Sequence, residues 1–169
     1  MRLKDVKVGI LTISDKGSRG EREDTSGPEI RRIVEAEGAK VISYQVIADE
    51  RYLIEERLVY LADFDEAELI FTTGGTGFAP RDVTPEATLA VIERLVPGFV
   101  EAIRHASLQI TPHAMLSRAV SGIRGTTVIV NLPGSPKAVR ESIEVILPAL
   151  PHAIEVLKGN TEDCAGHAH

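Results

Sequence analysis

The sequence predicts a three-layer α/β/α fold with a mostly parallel central sheet, built as a single domain over residues 1–159. Strand-like and helix-like segments alternate along the chain, which is typical of a parallel sheet covered by helices on both faces. Two of the strand-like segments, 67–73 and 126–132, are nearly continuously apolar, as expected of strands that are buried on both sides. The length of 169 residues is that of one domain.

The first half of the chain repeats a strand, a loop and a helix. Residues 6–13 form a β-rich run, and a polar loop separates it from a helix with Pro28 in its first turn and Gly38 just past its end. Residues 40–47 alternate as a second strand, and residues 49–63 place leucines at helical spacing. This order predicts two neighbouring parallel strands.

The second half begins with the third strand, 67–73, which leads into the glycine-rich segment TTGGTG. Thr84 followed by Pro85 predicts the N-cap and first turn of a helix that extends to about Leu95. Residues 99–110 predict a further helix.

The remaining segments differ in how clearly they can be interpreted. Residues 113–125 favour no single secondary structure, whereas residues 126–132 predict a buried strand. Ser135 and Pro136 then predict the N-cap and first residue of a helix. After the last helical segment, residues 160–169 form a polar tail with no packing pattern.

Charge and hydropathy restrict the classes of partner. The chain has 25 acidic and 19 basic residues, a net charge of −6, which is the wrong sign for general attraction to nucleic acids or anionic membranes. No apolar run approaches a membrane span and no signal-peptide pattern is present, so we expect a cytoplasmic protein with neither membrane nor nucleic-acid partners. A small phosphorylated ligand is compatible, because backbone amides or a bound cation can hold phosphate locally.

Three loops are expected to form one ligand-binding crevice. In open parallel sheets ligands bind beyond the carboxyl ends of the strands. The loops 14–27, 74–82 and 133–138 all follow strand-like segments, and all contain glycine and small hydroxyl residues. The crevice should therefore offer backbone amides and hydroxyl groups.

The glycine-rich segment is the strongest indication of a ligand. Gly74, Gly75 and Gly77 lack a Cβ, so the backbone can adopt positive φ, approach a ligand and direct amides at oxyanions. Thr73 and Thr76 add hydroxyl groups. The alternative is an ordinary tight turn after a strand. Neither a dinucleotide fingerprint nor a P-loop occurs in the sequence.

Four aspartates fall at predicted strand ends or in the loops that follow them. Asp82 follows the glycines and precedes a helix, where it could bind Mg²⁺ beside phosphates or simply favour the helix dipole. Asp49 could be a site residue or the N-cap of the next helix. Asp15 and Asp24 could belong to the crevice or form Asx-turns and caps. Convergence of all four would favour a functional site.

Two basic residues and the tail leave alternatives open. Arg81 and Lys137 could each bind a phosphate or be solvated side chains. Cys164, His167 and His169 are spaced as a possible Zn²⁺ chelate, but a frayed tail is the favoured interpretation.

Six motifs in sequence order closely resemble the molybdenum cofactor biosynthesis family of Mog and MoaB-type proteins, from about Val6 to Gly159. They are LTISD, EDTSG, TTGGTG, RDVTPEAT, SRAVSG and NLPGSPKAV. The resemblance implies the Mog/MoaB-type fold, usually a homotrimer. It also implies molybdopterin adenylyl transfer, in which molybdopterin and Mg·ATP give adenylyl-molybdopterin and pyrophosphate, with hand-over to a molybdate-insertion protein.

The resemblance also assigns roles to residues. It implies that Asp49 and Asp82 are the catalytic acids and Mg²⁺ ligands, although IADE stands where the family motif reads IPDE. The glycine loop would hold the terminal phosphate of molybdopterin. The remaining predicted substrate-binding residues lie in the three loops: Ser14, Asp15, Asp24, Ser26, Thr73, Gly74, Gly75, Thr76, Gly77, Arg81, Pro133, Gly134, Ser135 and Lys137. A MoaB-type protein that binds molybdopterin without efficient transfer is the alternative.

Overall fold

The computed structural model describes residues 1–160, and it confirms a three-layer α/β/α fold around a mostly parallel sheet. The six strands are ordered β2-β1-β3-β6-β5-β4. Strands β2, β1, β3 and β6 are mutually parallel, whereas β5 runs antiparallel to both of its neighbours. The strands are β1 (Lys7–Ile13), β2 (Lys40–Ile47), β3 (Leu69–Thr73), β4 (Arg94–Leu95), β5 (Ser121–Arg124) and β6 (Thr127–Leu132).

Helices cover both faces of the sheet. Helices α2, α5, α6 and α7 pack on one face, and α3 and α4 pack on the other. No helix within residues 1–160 is long and apolar enough to cross a membrane. The helices are α1 (Asp15–Ser18), α2 (Ser26–Ala36), α3 (Arg51–Asp63), α4 (Thr84–Val91), α5 (Pro97–Leu108), α6 (Pro136–Ile146) and α7 (Leu150–Leu157), with a 3₁₀ helix at Pro112–Leu116.

Two separate cores explain the continuously apolar strands. In β3, Phe71 packs into the core beneath α2 and α6, whereas its neighbour Ile70 packs into the core beneath α3 and α4. Both side chains are fully buried. Because successive strand residues point to opposite faces, a sheet covered on both sides needs an apolar residue at every position.

The helix predicted to reach Leu95 ends earlier, so this prediction is wrong. Helix α4 stops at Val91, and Arg94 and Leu95 form the edge strand β4. Strand β4 pairs with β5, with Arg94 opposite Ile123. This pairing joins segments distant in sequence, so it overrides the local helical preference and leaves no periodic signal.

The predicted cap at Thr84 is also wrong. Thr84 is the first residue of α4 rather than its N-cap, and its buried hydroxyl donates to the carbonyl oxygen of Gly74 at 3.0 Å. By contrast, Ser135 caps α6 as predicted, because its hydroxyl accepts from the Ala138 amide at 3.2 Å.

Two segments gain structure that the sequence did not indicate. The loop after β1 contains the short helix α1, which Ser14 caps by accepting from the Gly17 amide. The segment 113–125 divides into the 3₁₀ helix, an extended strap at residues 117–120, and β5. The predicted alternatives for Cys164, His167 and His169 lie outside the described residues.

Candidate functional site

A polar cleft of about 360 Å³ lies where β1, β2, β3 and β6 end. Because these strands are parallel neighbours, their carboxyl ends bring the loops 14–27, 74–82 and 133–138 to one edge of the sheet. All four predicted aspartates line this cleft. The predicted site residues found in its wall are Ser14, Asp15, Asp24, Ser26, Asp49, Thr73, Gly74, Gly75, Asp82 and Gly134.

Asp15 and Asp49 hold each other through reciprocal hydrogen bonds. The Asp15 amide donates to Asp49 Oδ2 at 2.8 Å, and the Asp49 amide donates to Asp15 Oδ1 at 3.0 Å. These bonds tie the end of β1 to the end of β2. Asp49 is not the N-cap of α3, since Glu50 occupies that position and makes no side-chain capping bond.

Arg81 forms ion pairs with two carboxylates, those of Asp15 and Glu50. Its Nε and Nη2 donate to the two oxygens of Asp15 at 3.0 and 2.9 Å, and Nη2 also donates to Glu50 Oε1 at 2.9 Å. Hydrogen bonding from Arg81, followed by that from the Asp49 amide, lowers the pKa of Asp15. Arg81 therefore fixes Asp15 in its charged form, and the Arg81 side chain itself does not line the cleft.

Asp49 and Asp82 each leave one carboxylate oxygen free. Burial, the strongest cause, and the negative charges of Asp15 and Asp82 raise the pKa of Asp49. Asp49 uses Oδ2 to accept from Asp15, and Asp82 uses Oδ2 to accept from the Ala79 amide at 2.9 Å. Within residues 1–160, no donor reaches Oδ1 of either carboxylate. The cleft thus exposes two unpaired anionic oxygens.

The glycine loop requires glycine at two of its three predicted positions. Gly74 and Gly75 have φ of +95° and +69°, where side chains are strained. A Cβ on Gly74 would lie 2.4 Å from the Ile13 carbonyl oxygen, and one on Gly75 would lie 2.3 Å from Thr84 Oγ1. Gly77 does not adopt positive φ, contrary to expectation.

The same loop presents free backbone donors. The amides of Gly75, Thr76 and Gly77 donate to no atom of residues 1–160. Consecutive unpaired amides in a turn containing left-handed residues are suited to binding an anion. The loop can therefore hold phosphate oxygens without a basic side chain.

Two predicted hydroxyl ligands instead join the loops to one another. Thr73 Oγ1 donates to the Pro133 carbonyl oxygen at 2.6 Å, and Ser26 Oγ donates to the Gly134 carbonyl oxygen at 2.9 Å. These bonds hold the loop after β6 against β3 and the start of α2. Both hydroxyl groups still line the cleft.

Asp24 anchors the first loop through four donors. Its Oδ1 accepts from the amides of Ser26 at 3.1 Å and Gly27 at 3.2 Å, an Asx-type arrangement at the start of α2. Its Oδ2 accepts from Thr12 Oγ1 at 2.8 Å and from the Tyr44 hydroxyl. Burial, and then the bond to Asp24, raises the pKa of Tyr44. Asp24 is thus both a turn residue and part of the cleft wall.

The remaining predicted residues lie beside the cleft. Thr76, Gly77 and Pro133 line a second, more apolar cavity of about 330 Å³ between the glycine loop, α5 and the 3₁₀ helix. Ser135 and Lys137 line neither cavity, and Lys137 is exposed with its Nζ 3.9 Å from Glu141.

Three basic residues were not predicted as site residues. Lys16 and Arg22 line the polar cleft and form no ion pair with any of residues 1–160. Arg118 contacts three carbonyl oxygens of the 76–82 segment. The only sequence signal for Arg118 is its place in the SRAVSG motif.

Comparison with known proteins decides the family. Residues 9–152 match the family described as a probable molybdopterin binding domain. The chain belongs to this molybdopterin-binding domain family. A curated Helicobacter pylori J99 protein named molybdopterin adenylyltransferase is 42% identical over 160 residues, covering 94% of this chain and 91% of the relative. The protein of that name from Escherichia coli K12 is 37% identical over 171 residues, covering 93% and 88%.

Solved structures of the molybdopterin-binding domain family share the fold. A molybdopterin biosynthesis enzyme MoaB from Thermus thermophilus is 51% identical, with a TM-score of 0.86 over 91% of this chain and 97% of that chain. A MogA structure is 38% identical, with a TM-score of 0.84 over 89% and 99%. The predicted family and fold are thereby confirmed. Because both neighbours superpose almost equally well, backbone shape does not separate the MogA and MoaB branches.

Proposed function

We propose that this chain is a molybdopterin adenylyltransferase, which transfers AMP from Mg·ATP to the terminal phosphate of molybdopterin and releases pyrophosphate. The observation that supports this most strongly is that the glycine loop, whose amides of Gly75, Thr76 and Gly77 donate to no atom of residues 1–160, borders the cleft that contains the unpaired carboxylate oxygens of Asp49 and Asp82. The curated relatives named molybdopterin adenylyltransferase match this chain over almost its whole length.

The chemistry requires two anionic substrates to meet. A phosphate oxygen of molybdopterin attacks the α-phosphorus of ATP, and the bond from that phosphorus to the bridging oxygen breaks. Pyrophosphate leaves with the electron pair. Such phosphoryl-type transfers depend on positioning and on neutralising charge. In this chain the amides of Gly75, Thr76 and Gly77 would hold the attacking phosphate, while Lys16 and Arg22 would meet the polyphosphate of ATP.

The acids fit a magnesium ion shared with the substrate. Within residues 1–160 no group of three or more His, Cys, Asp or Glu side chains could hold a metal by itself. Mg²⁺ in nucleotide enzymes is commonly bound by one or two carboxylates plus substrate phosphates. Asp49 and Asp82 would supply those carboxylates through their free oxygens. When bound, Mg²⁺ would neutralise phosphate charge at the reacting centre.

We also propose that the protein is a cytoplasmic homotrimer that passes its product to a molybdate-insertion protein, as the family resemblance implies. Light scattering after gel filtration should give three times the chain mass of 18.3 kDa. A monomer mass at micromolar concentration would contradict the trimer.

The proposed function is tested by measuring the transfer of labelled AMP from ATP to molybdopterin. ATP labelled at the α-phosphate is incubated with molybdopterin and with the wild type, Asp49→Asn or Asp82→Asn. We expect labelled adenylyl-molybdopterin from the wild type, and a loss of about 10²–10³-fold in each variant, the usual cost of removing one electrostatic group from a charged transition state. Equal rates in the variants would exclude these acids from the reaction.

The second candidate is a MoaB-type binding protein, favoured by the 51% identity to a MoaB structure. A wild-type protein that binds molybdopterin tightly and yields no labelled product would support this candidate. The same experiment therefore separates the two functions.

A further inference from the structure

Arg118 binds the glycine loop from the strap at residues 117–120. Its backbone amide donates to the Thr76 carbonyl oxygen at 2.9 Å. Its Nε donates to the Gly77 carbonyl oxygen, and its Nη2 to the Asp82 carbonyl oxygen, both at 2.8 Å. One residue thus fixes three carbonyl groups in the loop that carries Asp82.

Glu86 orients the guanidinium group of Arg118. Arg118 Nη1 pairs with Glu86 Oε1, which lies in the first turn of α4. Hydrogen bonding from Arg118 is the main cause of the lowered pKa of Glu86. The charge of Arg118 is paired with Glu86, its other side-chain donors bond to carbonyl oxygens, and Arg118 lines neither cavity. A direct role in binding phosphate is therefore not supported.

The carbonyl groups that Arg118 binds determine the directions of the neighbouring amides in the glycine loop. Residues 1–160 contain no cis peptide, and in a trans peptide the carbonyl and amide point in opposite directions. With the Thr76 carbonyl turned toward Arg118, the Gly77 amide points away from Arg118. In the same way, the Gly77 carbonyl that Arg118 binds determines the direction of the Phe78 amide. If these peptides rotated, carbonyl oxygens would face an anionic ligand and repel it.

We propose that Arg118 is a positioning residue for adenylyl transfer: it orients the peptides after Thr76 and Gly77 and places Asp82, without touching either substrate. This inference rests on the proposed function for its effect on rate. It needs arginine specifically, because the planar guanidinium reaches two carbonyl oxygens and Glu86 together. Lysine keeps the charge but presents one ammonium group.

The matched control is Arg124, which makes the same kinds of contact away from the cleft. Arg124 pairs with Asp63 through Nε and Nη2 and donates from Nη1 to the Val91 carbonyl oxygen at 2.9 Å. Arg118→Lys and Arg124→Lys therefore each remove a guanidinium group that binds one carboxylate and at least one carbonyl oxygen in the same domain. A difference between the two variants reports on the glycine loop rather than on general stability.

Orientation is measured first, without substrate, from the amide ¹H–¹⁵N chemical shifts of Gly77 and Phe78, the two amides whose peptides Arg118 holds. We expect both shifts to move in Arg118→Lys and to stay in place in Arg124→Lys. Unchanged shifts in Arg118→Lys would overturn the proposal. If the shifts move but the wild type transfers no AMP, positioning by Arg118 stands and the proposed function fails.

Activity is the second readout. We expect kcat/KM for adenylyl transfer to fall about 10²-fold in Arg118→Lys, the cost typical of misplacing reacting groups by about 1 Å. Millimolar guanidinium should restore part of the activity of Arg118→Ala, whereas ammonium should not. A loss equal to that of Arg124→Lys, with no rescue, would reduce Arg118 to a stabilising residue and overturn the proposal.

Discussion

Replacing Gly75 by alanine tests whether the conformation of the glycine loop requires a residue without a side chain. Gly75 has φ of +69°, and a Cβ there would lie 2.3 Å from Thr84 Oγ1. The left-handed conformation costs a non-glycine residue about 1–2 kcal/mol. Thr84 is buried and its hydroxyl bonds to Gly74, so relieving the clash costs about 1–3 kcal/mol more, as for other overpacked sites.

The expected loss in the free energy of unfolding is therefore about 2–5 kcal/mol for Gly75→Ala. Equilibrium urea unfolding measures it. Gly125→Ala is the matched control, because Gly125 has φ of +56° and a Cβ added there would meet no heavy atom within 4 Å. The control should lose only about 1–2 kcal/mol. If Gly75→Ala lost no more than Gly125→Ala, the steric argument for the loop would be refuted.

Two further predictions, one for an acid and one for two cations, test the electrostatics of the cleft. Asp49→Asn should lower the rate of AMP transfer about 10²–10³-fold. Without Mg²⁺ at pH 7 it should nevertheless raise the free energy of unfolding by about 0.5–2 kcal/mol, as at other active sites. The stability gained by Asp49→Asn should shrink as the pH falls toward about 3.9, the ordinary pKa of an aspartate. Burial raises the pKa of Asp49 in the folded wild type, so this carboxylate becomes protonated and its unfavourable charge is lost. A variant less stable than the wild type at pH 7 would contradict this. Lys16→Gln and Arg22→Gln should each raise KM for Mg·ATP about tenfold, the equivalent of one charged hydrogen bond. The control is Arg19→Gln, which breaks an ion pair with Glu21 outside the cleft and should leave KM for Mg·ATP unchanged. An equal rise of KM in all three variants would show that the two cleft cations do not bind Mg·ATP specifically.

The sequence predicted the sheet well where its strands are buried. Strands β1, β3 and β6 are apolar on both faces because helices cover both sides, so composition alone identifies them. Strands β4 and β5 have two and four residues. They depend on pairing, β4 with β5 and β5 also with β6, which no local pattern records. The four-residue helix α1 was missed for the same reason of length.

The positions of the four aspartates could be predicted because each follows a strand or a strand-end loop. Their partners could not. The bond between Asp15 and Asp49 depends on β1 and β2 being neighbours, and the pairing of Arg81 with Asp15 joins residues 66 apart in sequence. Arg118 reaches the glycine loop from a strap without periodicity. Such contacts arise from tertiary packing, so a single sequence carries no signal for them.

Adenylyl transfer is tested most directly by pyrophosphate release from Mg·ATP by the purified wild-type protein, measured with and without molybdopterin. We expect release only when molybdopterin is present, with one adenylyl-molybdopterin formed for each pyrophosphate. Tight binding of molybdopterin without pyrophosphate release would contradict the adenylyltransferase assignment and favour a binding protein of the MoaB type.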